Sequence, residues 1–145
     1  MARNDEFIAA RPARVFEVLS DPDCYGDWVV GSKYIRDADP GWPGVGTKFH
    51  HAVGFGPFTV KDHTKVLESH PPHLIKLKAK SRPLGQAHVT LAIEAEGNGS
   101  RVTMIEDAGD PLTALVFNPL THLLVRGRNE ESLRRLKRIA ERKSR

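Results

Sequence analysis

The sequence predicts an α+β domain in which a curved, seven-stranded antiparallel sheet wraps a long C-terminal helix, with two short helices after the first strand. Three observations predict it. Six consecutive strand-like runs lie between about Lys33 and Asp107 and are separated by glycine- and proline-rich turns, and hairpin-linked strands of this kind make an antiparallel sheet. The segment from about Pro119 to Arg142 is long and unbroken, with Gly127 as its one weak interior position, and an amphipathic helix after the strands must cover their apolar face. At 145 residues the chain has the size of one domain, 1–145, which buries roughly 70% of the surface its unfolded form exposes.

Taken in order, Arg3 to Ala9 alternates Arg3, Asp5 and Phe7 against Asn4, Glu6 and Ile8, a mixed pattern compatible with a first strand. Pro12 suits the first position of a helix, and Val15, Phe16, Val18 and Leu19 recur at helical spacing. That helix should stop near Ser20-Asp21-Pro22, and a second short one should run from Pro22 to about Trp28. Strands are expected at about Lys33–Ala38, Thr47–Val53, Phe58–Ser69, Leu74–Lys80, Gln86–Glu96 and Arg101–Asp107. Pro71-Pro72, Arg82-Pro83-Leu84-Gly85 and Gly97-Asn98-Gly99-Ser100 supply the hairpin turns, and Asp39 to Gly44 a turn-rich loop. In the last helix Leu120, Leu123, Leu124, Leu133, Leu136, Ile139 and Ala140 make the expected apolar stripe.

Composition narrows the function classes. Cys24 is the single cysteine, so neither an internal disulfide nor a cysteine zinc framework can form. The N-terminus has early charges of both signs, and no window approaches the ~20 apolar residues that span a bilayer; the expectation is a cytoplasmic protein with no membrane span. The net charge of +4 and pI near 9.4 come largely from Arg126 to Arg145, without which the chain is near neutral to slightly acidic. Such a basic helix could meet nucleic acid or an anionic surface, but its charges surround a leucine stripe needed for packing, and runs of this kind are usually solvated faces.

Side chains of one parity share a face of a strand. Phe49 and Val53 share parity with His51; Phe58, Val60 and Val66 with Asp62 and Thr64; Val102 and Met104 with Glu106. His51, Asp62 and Glu106 are therefore expected on the apolar, inward side, beside walls from Ile75, Leu77, Val89, Leu91 and Ile93. A bare buried carboxylate is costly, so the two acids need hydrogen-bond partners, protonation or water in an open cavity; strand ends touching solvent are the alternative for both. A mainly apolar interior with a few polar groups has the composition of a small-molecule site.

The order of these elements, with PARVFEVLSDPDCYGDWV near the N-terminus, VLESHPPHLIKL in the middle and GNGSRVTMIE before the last helix, resembles the START-like SRPBCC superfamily, close to its polyketide cyclase/dehydrase and lipid-transport group. Pro12, Val15-Phe16, Leu19-Ser20-Asp21 and Trp28 match that pattern, as do Glu68 to Pro72, and the resemblance covers essentially the whole chain. It implies a helix-grip fold and a cavity between sheet and last helix, hence binding of a small hydrophobic, lipid-like, aromatic or polyketide-like molecule. No active-site signature of the characterised cyclases is found.

The candidate ligand wall is Trp28, Phe49, Phe55, Phe58, Leu77, Leu91, Met104, Phe117, Leu120 and Leu124. In the enzyme alternative, a cyclase or dehydratase, His51, Asp62 and Glu106 move protons; in the binding reading they orient the ligand's polar end. His50, His51, His63, His70, His73, His88 and His122 form no metal-ligand spacing, and His50 and His51 point to opposite faces, so neither a metal nor a cofactor is expected. Cys24 follows Asp23, whose negative charge disfavours the thiolate, and it is expected to be inert. Nucleic acid is the weaker partner, and the expected state is a monomer or a homodimer.

Overall fold

The structure is a computed structural model that describes residues 2–21, 24, 28, 32–55, 58–81, 85–108 and 119–143. Its elements are β1 (Ala2–Ile8), α1 (Pro12–Leu19), β2 (Ser32–Ala38), β3 (Lys48–Phe55), β4 (Phe58–His70), β5 (Leu74–Ser81), β6 (Gly85–Glu96), β7 (Gly99–Ala108) and a long helix, α2 (Pro119–Lys143). The seven strands form one antiparallel sheet in the order β1-β7-β6-β5-β4-β3-β2. Six are a meander, and β1 closes the order by pairing with the last strand. The second short helix expected over 22–28 lies outside the described residues except for Cys24 and Trp28, both helical and buried.

Local chemistry explains the boundaries. Pro12 occupies the first turn of α1, and the helix ends where Ser20 turns its hydroxyl back to the Phe16 carbonyl, 2.6 Å away. Val15, Phe16, Val18 and Leu19 are its buried face. At the β6–β7 hairpin, Glu96 pairs with Gly99 across a two-residue loop in which Gly97 adopts φ +54°, a backbone that favours glycine. Gly99 has a second reason to be glycine, since a Cβ there would lie 2.2 Å from the Ile8 carbonyl oxygen.

The 39–47 loop carries an anchor that its turn chemistry did not announce. Trp42 donates its indole N–H to the Ser20 carbonyl at 2.8 Å and packs against the core, tying the loop to the end of α1. Gly46 and Thr47 exchange backbone hydrogen bonds with Val66. Buried indoles reach a polar partner in this way.

α2 runs along β1 in the same direction. Near its start the Arg126 carbonyl accepts from Asn4 Nδ2 at 3.1 Å; further on Lys137 Nζ reaches the Phe7 carbonyl at 3.0 Å; and Glu141 Oε2 accepts from the Ala9 backbone N–H at 2.8 Å. This path settles the mixed pattern of the first strand. Asn4, Glu6 and Ile8 share a face with Met104, Val102 and Ser100 of β7, the side on which α2 lies, whereas Arg3 and Asp5 are exposed.

The buried arc of α2 is Asn129, Ser132, Leu133, Leu136 and Ala140. Leu123 was expected in that stripe and is instead 64% exposed, because at 100° per residue it falls about 120° from the centre of the arc. The side chains of Leu120 and Leu124 lie outside the described residues. Among the described residues, no helix is long and apolar enough to cross a membrane.

Candidate functional site

The inner face of the sheet is readable row by row. Ala2, Glu106, Val89, Leu77 and Val66 are directly opposed across five strands, and Asn4, Met104, Leu91 and Ile75 form the next row. Directly opposed residues share a face. Leu77, Leu91 and Met104 are buried, as is Trp28, so these four expected wall residues lie in the interior. The side chains of Phe49, Phe55, Phe58, Leu120 and Leu124 lie outside the described residues, and Phe117 does so entirely.

Glu106 is inward, as its parity requires, and only 5% exposed. Its partners come from α2. Arg128 Nη2 stands 2.6 Å from Oε1 and 2.8 Å from Oε2, and Asn129 Nδ2 donates to Oε1 at 3.3 Å. Arg128 also leans on its neighbour, with Nη2 and Nε 3.3 and 3.4 Å from Asn129 Oδ1. A carboxylate that would be prohibitively costly alone is thus held by charge-assisted hydrogen bonds. Of the solutions open to it, ion pairing with the closing helix is the one the fold uses.

Neither Arg128 nor Asn129 was singled out from sequence. Asn129 could have been, because it stands four residues before Leu133 and seven before Leu136, in the helical phase of the buried stripe. A polar residue in such a phase asks for a polar partner on the facing sheet.

His51 and Asp62 are directly opposed between β3 and β4, and their side chains lie outside the described residues. Glu106 is remote from that pair along the sheet. It is opposed through Val89 and Leu77 to Val66, three strands from β7 and four residues along β4 from Asp62. At about 4.8 Å per strand and 3.3 Å per residue this is about 20 Å over the sheet surface. Shared parity in the sequence therefore did not make Glu106 a neighbour of the other two positions. The bulge in β4 lies between Val66 and Glu68, beyond Asp62, and leaves the Asp62–Val66 phase intact.

The described part of the interior is apolar. Ile8, Val15, Val66, Ile75, Leu91, Ile93, Val102, Leu133 and Leu136 belong to one buried cluster in which α1 lies on β6 and β7. A concavity of about 450 Å3 lies elsewhere, lined by Arg135, Arg138, Ile139 and Arg142 of α2. Among the described residues, no group of three or more histidine, cysteine, aspartate or glutamate side chains could hold a metal ion. Cys24 is buried, with its thiol 3.5 Å from Asp21 Oδ2.

Comparison with known proteins matches this architecture. The chain superposes on TTHA0849 from Thermus thermophilus with a TM-score of 0.72 at 17% identity, covering 99% of each chain. It superposes on Ara h 8.0201 with a TM-score of 0.72 at 13% identity, covering 95% of each. For the di-domain ARO/CYC StfQ of the steffimycin biosynthetic pathway the TM-score is 0.74 at 14% identity, over 97% of this chain and 50% of that one. At these identities the likeness is one of fold. No curated protein sequence matches the chain. The family model described as polyketide cyclase / dehydrase and lipid transport matches residues 3–141, and the chain belongs to that family.

Proposed function

We propose that this protein binds a small hydrophobic molecule, lipid-like, aromatic or polyketide-like, between the inner face of the sheet and α2. The observation that carries this reading is Glu106, an acid seated in an apolar row and satisfied by Arg128 and Asn129. A polar cluster at one end of a wall built from Leu77, Leu91 and Met104 can orient a ligand's polar group while the wall takes its apolar body. In this reading Phe49, Phe55, Phe58, Phe117, Leu120 and Leu124 would complete the apolar wall. Family membership supports binding in general terms. Native mass spectrometry of the protein purified from its own cells tests the proposal. The expected result is a co-purified hydrophobic molecule released on unfolding; ligand-free protein that also takes up no fatty acid, sterol or polycyclic phenol would overturn it.

The second reading, a cyclase or dehydratase, is favoured by one observation, the direct register of His51 with Asp62, and it rests on that pair, because Glu106 stands too far along the sheet to share a reacting centre with it. A histidine facing a carboxylate has the chemistry of a proton-transfer pair. In this reading Asp62→Asn abolishes turnover of the identified ligand and largely spares its binding. Glu106→Gln distinguishes an orienting role, which changes affinity alone, from a chemical one.

A further inference from the structure

The outward side of α2 carries positive charge that its own acids leave unbalanced. Arg134 is satisfied by Glu130 at 2.7 Å, and Lys137 by Glu141 at 2.6 Å. Arg135 and Arg138 share a single carboxylate, Glu131, at 3.3 and 3.5 Å, and Arg134 also approaches it at 3.8 Å. Arg142 has no acidic partner among the described residues. Among the described residues, Arg135, Arg138 and Arg142 are the charged lining of the 450 Å3 concavity, with half-buried Ile139 beside them.

These positions fall on one face of the helix and span about 10 Å along it. Among the described residues, three guanidinium forks face one concavity against one carboxylate, an arrangement that suits a compact multiply charged oxyanion, because the fork matches phosphate oxygens in pairs. The C-terminal end of a helix repels anions only weakly, a smaller effect than two net positive charges at contact distance. The guanidiniums are also open to solvent, Arg138 at 65% side-chain exposure, so a ligand can reach them without unfolding anything.

We propose that the groove formed by Arg135, Arg138 and Arg142 is a second binding site, separate from the apolar interior, for a diphosphate or phosphomonoester group. The group can arrive on a soluble molecule or as a lipid headgroup. Glu131 then acts as an internal competitor that the phosphate displaces from Arg135 and Arg138.

Calorimetric titration of the full chain with inorganic pyrophosphate at low salt tests this. Saturable one-to-one binding is expected, weakened about tenfold by Arg138→Gln or Arg142→Gln, as for loss of one charge-assisted contact. Arg134→Gln should leave it unchanged, and Glu131→Gln should tighten it. A parallel arm uses phosphatidylcholine vesicles with and without phosphatidic acid. Arg138-dependent binding to the acidic vesicles, competed by pyrophosphate, identifies a lipid headgroup as the source, whereas pyrophosphate binding without vesicle binding identifies a soluble one. Absence of saturable binding, binding indifferent to Arg138 and Arg142, or affinity for nucleic acid without affinity for pyrophosphate would each overturn the proposal.

Discussion

Arg128 on α2 and Glu106 on β7 form an ion pair across the helix–sheet interface, with one guanidinium nitrogen 2.6 and 2.8 Å from the two carboxylate oxygens. The pair is lopsided. The Glu106 side chain is 7% exposed and that of Arg128 is 43%, so the acid depends on the arginine far more than the arginine on the acid.

That asymmetry predicts unequal mutants. Arg128→Met leaves a buried carboxylate with only Asn129 and should lower unfolding free energy by about 2–3 kcal/mol. Glu106→Met leaves a half-exposed guanidinium that water can solvate and should cost less than about 1 kcal/mol. Urea unfolding of both checks this; equal losses would mean that Arg128 does not rely on solvent.

A second clamp joins the β1–α1 corner to the end of α2. Glu141 accepts from the Ala9 N–H and from Lys137, which also donates to the Phe7 carbonyl. Burial works against the charged form of Glu141, but the hydrogen bonds from Lys137 and Ala9 and the Lys137 charge prevail and hold its pKa below the ordinary carboxylate value. A carboxylate depressed on folding stabilises the protein above its unfolded pKa, near 4.3, and that contribution is lost as pH falls through the folded value. Relative to Glu141→Gln, the native chain should therefore hold an advantage at pH 6 that shrinks below about pH 4. Thermal melts of both across that range measure it, and a constant difference would refute the linkage.

Gly99 is required by close approach. A methyl group there would meet the Ile8 carbonyl at 2.2 Å and the Phe7 ring at 2.8 Å, and the first obstacle is backbone that also serves the β1–β7 pairing. Gly99→Ala should cost more than about 2 kcal/mol, visible as a lowered denaturation midpoint. An unchanged midpoint would show that β1 yields.

Arg14 predicts a gain. Its side chain is 14% exposed and one terminal nitrogen is held by Glu17, while Nε and Nη2 are shielded from water with no hydrogen-bond acceptor among the described residues. Unsatisfied buried donors cost about 1–3 kcal/mol. Arg14→Leu, neutral in helix propensity, should raise the melting temperature by several degrees, and a fall would show that the guanidinium has a role its contacts do not reveal.

How far the sequence reaches is visible in particular residues. Alternation put Thr64, Val66, Val102, Met104 and Glu106 on the inward face, and the structure buries all five, because a strand's period of two leaves little freedom once one face is apolar. The helical stripe held for Leu133, Leu136 and Ala140 and failed for Leu123. A short leucine run fits several phases of a helix, and its neighbours choose among them.

The sequence by itself determined the order of the elements, the parity of the strands and the presence of an acid on the apolar side, since each follows from local spacing along the chain. Only the tertiary structure decided that Glu106 meets Arg128 and Asn129, that Trp42 docks on α1, and that Glu106 stands well apart from the His51–Asp62 pair. Those outcomes depend on strand register and on the path of α2 along β1. Both are set by packing between segments distant in sequence, about which local periodicity carries no information.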